Sequence, residues 1–545
     1  MHTSPDSIAR NAAPEGGRPA HPKRPRNVLF IMCDQLRRDY LSCYGHPTLR
    51  TPNIDWLAGR GVRFDQAYVQ GAVCGPSRMS IYTGRYVSSH GSIFNFVPLR
   101  ATEQGLGDYL RPAGIRCAVV GKTHVEGDTQ GLARLGVKTD SMQGVLAAQG
   151  GFEPYVRDDG IWPFDGPQGL NQYDMYLRAK GYAGANLWHE QANSAMGDDG
   201  ELLSGWHMRH ADRPARIAEA DSETAFMTDR AMDFIRARGE QPWCLHLSYI
   251  KPHWPYMAPA PYHGMYGPQD VLPPQRSQRE LDDSHPVTDG YRQWDVSRSF
   301  CNDAVRRRVI PAYMGLVRQI DDHLGRLFDF LRRHGRLDDT LIVFASDHGD
   351  YLGDHWLGEK ELFHDTVARV PLIVYDPTPQ ADARRGSTER SLVEAIDIVP
   401  TILDALGLPI PAHIIEGRSL LPMLHGCQDT PWRTAAFSEF NFGFRDSVRV
   451  PLARTVDQCH AMVVYDGRWK YVHYDGLPPH LFDLRNDPQE FEDRGRDPGL
   501  QGQRAEMKDR LFEWMFQRKR HPTIGLEQAH AYHAQEQQAV HIGVW

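Results

Sequence analysis

The stretch NVLFIMCDQ, residues 27–35, is uncharged and mostly apolar up to Cys33 and then turns abruptly to an acid and an amide. A continuous apolar run of this length fits a strand buried on both faces, which is how the strands of a parallel sheet read in α/β proteins. Four further runs have the same texture: IRCAVV (115–120), WCLHLSYI (243–250), TLIVFA (340–345) and PLIVY (371–375). Helical patterns separate them. In TPNIDWLAGRG, Thr51 stands at an N-cap, Pro52 at the first helical position and Gly61 at the stop, and the run from Ala304 through Leu331 carries apolar residues at helical spacing. Strand and helix in alternation predict an α/β fold built on a large, mostly parallel sheet flanked by helices.

The residues after each strand predict where the chemistry sits. Asp34 and Gln35 follow the first run, Lys122, Thr123 and His124 the second, Lys251 and His253 the third, and Asp347 and His348 the fourth. Ligands of open parallel sheets lie beyond the carboxyl ends of the strands, so four segments converge on one rim. Asp34, Gln35, Asp347 and His348 offer hard oxygen donors plus an imidazole, a set for one divalent cation, calcium first and manganese or magnesium as alternatives, rather than structural zinc. Lys122, His124, Lys251 and His253 add positive charge and transferable protons. A cation among such donors describes a site for a tetrahedral oxyanion, as in sulfate and phosphate-like esters.

Composition narrows the class. Of 545 residues, 41% are apolar and 24% charged, the mixture of a soluble globular protein, and the net charge of −8 without a long Lys/Arg block argues against a nucleic-acid partner. The apolar runs fall far short of the ~20 residues of a membrane helix, so no membrane partner is expected. The stretch up to Arg26 reads as a flexible tail without a signal peptide. Eight cysteines (Cys33, Cys43, Cys74, Cys117, Cys244, Cys301, Cys427, Cys459) show no CxxC or zinc spacing, which fits a reducing cytoplasm.

In VCGPSRMSIYTGRY (73–86), Pro76 suits the first turn of a helix that runs through Met79 and Ile81 to Thr83 and closes at Gly84. Cys74 then stands at the helix entrance, where free N–H groups favour negative charge. Spacing leaves open whether it is a nucleophile or a plain buried thiol.

The run CGPSR (74–78), followed by TGRY (83–86), resembles the sulfatase-family motif Cys-x-Pro-Ser-Arg, in which an enzyme oxidises the cysteine to formylglycine. The neighbouring segments NVLFIMCDQLRRDYLSCYGHP, TPNIDWLAGRGVRFDQAY, GKTH, KPHWPY, SDHGDYLGDHWLGEKELFHDTVARVPLIV and IDIVPTILDALGL resemble the same family, from Asn27 to about Leu408, with a looser likeness in WKYVHY and HLFDLRNDPQE. The family is that of the formylglycine-dependent sulfatases, with their phosphonate monoester hydrolase relatives, inside the alkaline phosphatase superfamily. The resemblance implies an alkaline phosphatase-like fold. It also implies that Cys74 becomes formylglycine, whose hydrate attacks the ester, and that Asp34, Gln35, Asp347 and His348 hold the metal together with residue 74. Arg78 would steady the diol, Lys122 would bind it and the oxyanion, His124 would take the second hydroxyl's proton, and His253 and Lys360 would serve the leaving alkoxide. The implied partners are a small-molecule sulfate or phosphonate ester and a formylglycine-generating enzyme. Gln35 and His348 depart from the aspartate and asparagine of many members and resemble phosphonate monoester hydrolases, whereas GKTH keeps the Lys and His of sulfatases. Sulfate-ester hydrolysis is the favoured expectation, with phosphonate and phosphate diesters as slower substrates; a phosphonate monoester hydrolase or phosphodiesterase of the same superfamily is the alternative, and a non-catalytic anion- or metal-binding homologue the reading of another class.

The expected organisation is a tail (1–26), a catalytic domain (27–433), a smaller C-terminal α/β domain with an antiparallel sheet (434–523) and a second tail (524–545). SVRVPLARTV, AMVVYDG and WKYVHY read as antiparallel strands, and LQGQRAEMKDRLFEWMFQRKR as an amphipathic helix with Leu511, Trp514 and Met515 inward. The last tail, ending IGVW, reads as a frayed terminus or, alternatively, as a segment that wraps a second copy in a homo-oligomer. Trp162, Trp188, Trp206, Trp254 and Trp294 fall in insertions that either line the pocket mouth or pack beneath loops. His46, His90, Asp39, His355 and His364 lie beside the motifs and are not assigned to the site; for His355 and His364 a loop-supporting role and a direct catalytic one both stay open.

Overall fold

The computed structural model describes residues 24–160, 171–427, 431–519 and, further on, 524, 525, 527, 528, 530 and 531. The expected tails, except for these few residues and 24–26, and Trp162 lie outside the described residues.

Fifteen strands occur in chain order among the described residues: β1 (Asn27–Asp34), β2 (Val62–Tyr68), β3 (Arg116–Gly121), β4 (Glu153–Arg157), β5 (Ser194–Met196), β6 (Leu202–Ser204), β7 (Trp243–Pro252), β8 (Thr340–Ser346), β9 (Arg369–Tyr375), β10 (Ser387–Glu389), β11 (Val393–Glu394), β12 (Ala436–Asn441), β13 (His460–Tyr465), β14 (Trp469–Tyr474) and β15 (His480–Asp483). The main sheet runs β10-β2-β9-β8-β1-β7-β3-β4, with β11 also on β2. Its centre is parallel; β9 alone runs antiparallel to its neighbours β8 and β2. This is the mixed, mostly parallel sheet expected of an alkaline phosphatase-like fold.

Side-chain alternation along β1 divides the core. Leu29, Ile31 and Cys33 face one side, packed with α1 (Pro52–Arg60), α3 (Glu223–Arg238) and α4 (Asp303–Arg333), while Val28, Phe30 and Met32 face the side of α2 (Cys74–Thr83). Helix α1 starts and stops as its sequence predicts, yet the Thr51 hydroxyl makes no cap bond. Asp321 on α4 caps it instead, accepting the N–H groups of Asn53 at 3.0 Å and Ile54 at 2.8 Å. Asp321→Ala should therefore cost about 1–2 kcal/mol in urea unfolding, the usual range for a lost N-cap.

The C-terminal sheet, β12-β13-β14-β15, is antiparallel throughout, and α5 (Gln501–Phe516) buries Met507, Leu511 and Trp514 beside it, with Met515 partly covered. Phe440, Phe442, Val463 and Tyr474 join the same apolar core as Val28 and Phe30. The expected strand SVRVPLARTV is not one. It forms a short helix, Asp446–Arg449, and a 3₁₀ turn, Val456–Gln458. Pro451 interrupts the segment, Ala453 is left-handed at φ +49, and only Val448 is fully buried, with Leu452 packed partly against the core. The first strand of this sheet is AFSEFN instead. All eight cysteines are free, and no helix among the described residues is long and apolar enough to cross a membrane.

Candidate active site

The carboxyl ends of β1, β3, β7 and β8 deliver their polar residues to the start of α2. Helix α2 runs from Cys74 to Thr83 and closes on Gly84, which is left-handed at φ +69. The buried Cys74 sulfur lies 3.1 Å from His348 Nε2, 3.8 Å from Asp34 Oδ1 and 3.9 Å from Lys122 Nζ. His124 and His253 are also close enough to interact with it. Lys122 forms an ion pair with Asp34. Asp34, Cys74, Asp347 and His348 present donor atoms all within 4.8 Å of one another.

Hydrogen bonds fix which atoms face inward. His348 Nδ1 donates to the Gly349 carbonyl at 2.8 Å, so Nε2 is the nitrogen that faces Cys74. His253 Nδ1 donates to the Trp254 carbonyl at 2.7 Å, and its Nε2 accepts from Lys360 Nζ at 3.1 Å. Gln35 is left-handed at φ +63. Its Nε2 donates to Asp350 Oδ2 at 2.5 Å, and its Oε1 accepts from Lys360 at 3.0 Å. Asp350 Oδ2 accepts from both Gln35 Nε2 and the Tyr256 hydroxyl, which sends the amide nitrogen outward and the oxygen toward the site. Against burial, the neighbouring Asp347 and Cys74 raise the His348 imidazole to about 9, so a divalent cation would take the place of its Nε2 proton among two carboxylates and the atom at position 74.

Burial opposes charge here, and the neighbours overrule it. Burial alone would raise the Cys74 thiol, but Lys122, Lys360 and His348 hold it well below its ordinary value. Burial and Lys360 push His253 down to about 3, so it is neutral. Lys360 is pushed up despite burial by Cys74, Glu359 and Asp34. The pair thus keeps its proton on Lys360, facing a centre built to accept negative charge.

Nearly all the expected residues meet here: Asp34, Gln35, Cys74, Arg78, Lys122, His124, His253, Asp347, His348 and Lys360. Lys251 does not. It turns away to Asn193 Oδ1 at 2.6 Å and the Pro255 carbonyl at 2.9 Å, near Glu223 of α3. Trp188 is core, bonded to Glu223; Trp254 stacks on His253 and Trp206 meets it edge-on. Trp294 lies under the Arg445 guanidinium. Several supporting residues were not anticipated. Ser248 receives Arg78 Nη1 at 2.8 Å, Tyr256 and Asp350 hold Gln35, and Asp159 Oδ1 accepts the N–H groups of Thr123 at 2.8 Å and His124 at 3.2 Å. Asp159 thereby holds His124 in a left-handed conformation, φ +52. The only advance signal was their position, as polar residues within or just after strands.

The chain belongs to the sulfatase family: its sulfatase model matches residues 26–408, and the model "N-sulphoglucosamine sulphohydrolase, C-terminal" matches 353–517. Among curated relatives, the multifunctional alkaline phosphatase superfamily protein PehA of Trinickia caryophylli is 34% identical, covering 90% of this chain and 95% of that one. The arylsulfatase of Clostridium perfringens is 28% identical over 85% and 89% of the two chains. Among solved structures, the phosphonate monoester hydrolase of Silicibacter pomeroyi superposes with a TM-score of 0.79 at 28% identity, covering 91% and 96%.

Proposed function

We propose that this enzyme hydrolyses sulfate monoesters, using a formylglycine made from Cys74 by a formylglycine-generating enzyme. The observation that carries the reading is the Cys74 sulfur at the N-terminus of α2, inside the Asp34, Asp347 and His348 cluster and beside Lys122. Asp34, Gln35, Asp347 and His348 would hold a divalent ion, with calcium the first candidate. When bound, that ion supplies positive charge against which the nucleophile and the ester oxyanion form.

In this reading the hydrated residue 74 attacks sulfur through one hydroxyl. Lys122 binds the oxyanion and Arg78 steadies the diol. His124 takes the proton of the second hydroxyl, so the C–O bond to the sulfate breaks and the aldehyde re-forms without water having to attack sulfur. Lys360, with neutral His253 accepting one of its N–H bonds, donates to the departing alkoxide. The division into a catalytic unit (27–433) and a C-terminal unit (434–523), and a cytoplasmic location, belong to the same reading; strand pairing and the free thiols support them.

Peptide mass spectrometry across Val73–Arg78 should show sulfur and two hydrogens replaced by one oxygen at residue 74. Full activity with an intact thiol would defeat the mechanism. Lys360→Ala should lower kcat/KM by about 10²–10³-fold, as losing one aimed donor does. The loss should be steeper for alkyl than for nitrophenyl esters, because the poorer leaving group needs the proton more. The second reading, phosphonate monoester hydrolysis, is favoured by Gln35 and His348 in the donor set. Turnover of matched aryl sulfate and aryl phosphonate esters decides between them.

A further inference from the structure

Among the described residues a second cluster of convergent donors lies outside the catalytic centre: Glu280, His355 and His364, whose donor atoms are all within 4.8 Å of one another. Glu280 comes from the short helix Arg279–Asp282, His355 from the 3₁₀ segment Asp354–Trp356, and His364 from the N-cap of the helix Asp365–Ala368. The Glu280 and His355 side chains are 7% and 2% exposed, and His364 is 3% exposed. His355 Nδ1 lies 2.7 Å from Glu280 Oε1, and the two imidazole rings stand 3.9 Å apart. Tyr351 OH anchors His364 Nδ1 at 2.8 Å. A cavity of about 340 Å³ opens beside the group, with Glu280, His285, His364 and His480 in its wall.

We propose that Glu280, His355 and His364 bind a zinc-class divalent ion, and that the ion clamps the loop carrying Lys360. Two imidazoles and a carboxylate form a three-ligand set that zinc accepts, with the fourth position left to water, and the cavity gives that water room and the ion access. Calcium and magnesium prefer oxygen donors throughout, so the carboxylate-rich catalytic cluster and this imidazole-rich one select different ions. A tetrahedral ion with donors at ~2.0–2.1 Å sets neighbouring donors roughly 3.3 Å apart. The donor atoms lie within 4.8 Å of one another, so reaching that spacing calls for side-chain rotation, with the ion taking the place of the hydrogen between His355 and Glu280. His355 and His364 bracket Lys360 in sequence, and Tyr351 follows the ligand pair Asp347 and His348. An ion joining them would tie both catalytic loops to the Glu280 helix.

The test starts from the full chain stripped of metal and supplied with excess calcium for the catalytic cluster. Zinc uptake is measured by equilibrium dialysis, and cobalt binding by its visible absorption. The expected result is one zinc per chain held outside the catalytic cluster. Its affinity should fall at least about tenfold in His364→Gln and Glu280→Gln and persist in Asp347→Asn. Equal uptake by wild type and both cluster variants, or uptake lost only in Asp347→Asn, overturns the site. Glu280→Gln keeps the shape and hydrogen-bonding reach of the native side chain, so it decides the matter if His364→Gln does not fold. Hydrogen exchange across residues 352–364 should slow on zinc addition in the wild type alone; unchanged exchange overturns the clamp.

Discussion

Cys74→Ala should reduce ester turnover by about 10⁴-fold or more, the scale on which loss of a nucleophile is felt, while leaving the fold intact. The sulfur is buried, and its neighbours are Lys122, His348, His124 as a hydrogen-bond partner and, through its charge, Lys360. Their combined effect outweighs burial and favours negative charge at this one atom. The field is a property of the surroundings, so it acts equally on an oxygen placed there after oxidation. Cys74→Ser separates the two possible nucleophiles. A serine ester has no second hydroxyl for His124 to deprotonate, so it cannot collapse to an aldehyde. A single burst of alcohol, equal to the enzyme present, and an accumulating sulfated protein are expected. Steady turnover by the serine variant would mean that water attacks the ester directly. An alanine variant with near-native activity would place the chemistry elsewhere in the chain.

The central strands were legible because burial on both faces leaves an unbroken apolar run, as in Val28–Cys33 and Leu341–Ala345. Strand β2, VRFDQAY, was not. It is only partly covered, and Arg63, Asp65 and Gln66 give it the composition of a loop. The short outer strands β10 and β11 carry too few residues to show a period at all. Polar residues at strand ends marked the site, but their direction needed the parity of each strand. Along β7, Leu245, Leu247 and Tyr249 belong to the core beside α3, whereas Cys244 belongs to the opposite core and Ser248 meets Arg78. Lys251 lies past this alternation, where Ile250 also joins the α3-side core and the pairing with β1 slips from Cys33–Tyr249 to Asp34–Pro252, and it meets Glu223 of α3 rather than Cys74. Asp350, Tyr256 and Asp159 stayed hidden for another reason. They act by orienting Gln35 and His124 across distances in sequence that no local pattern records.

Arg78→Met should destabilise the protein by about 3–5 kcal/mol, the cost of removing one partner from a buried ion pair, and should abolish activity with it. The guanidinium is fully buried. Its Nε donates to Asp347 Oδ2 at 2.7 Å, its Nη2 reaches Asp34 Oδ2 at 3.3 Å, and its Nη1 donates to Ser248 Oγ and the Lys122 carbonyl, each at 2.8 Å. One planar group thus joins the ends of β1, β3, β7 and β8, and lysine, with a single nitrogen, cannot replace it. Burial and Cys74 push the Asp34 carboxyl up, yet Lys122 and Arg78 hold it below the usual carboxylate range. Its stabilising contribution is therefore present at neutral pH and is lost as pH falls through that lowered value. Without Arg78 the balance moves toward burial, and an ionised Asp34 becomes a cost that acid relieves. The stability gap between wild type and variant should be widest near neutral pH and narrow on acidification. A divalent ion neutralises the same carboxylates, so calcium should shrink the gap and a chelator should widen it in denaturant titrations. A gap indifferent to both pH and calcium would mean that Arg78 serves packing alone and that Asp34 and Asp347 do not share a cation.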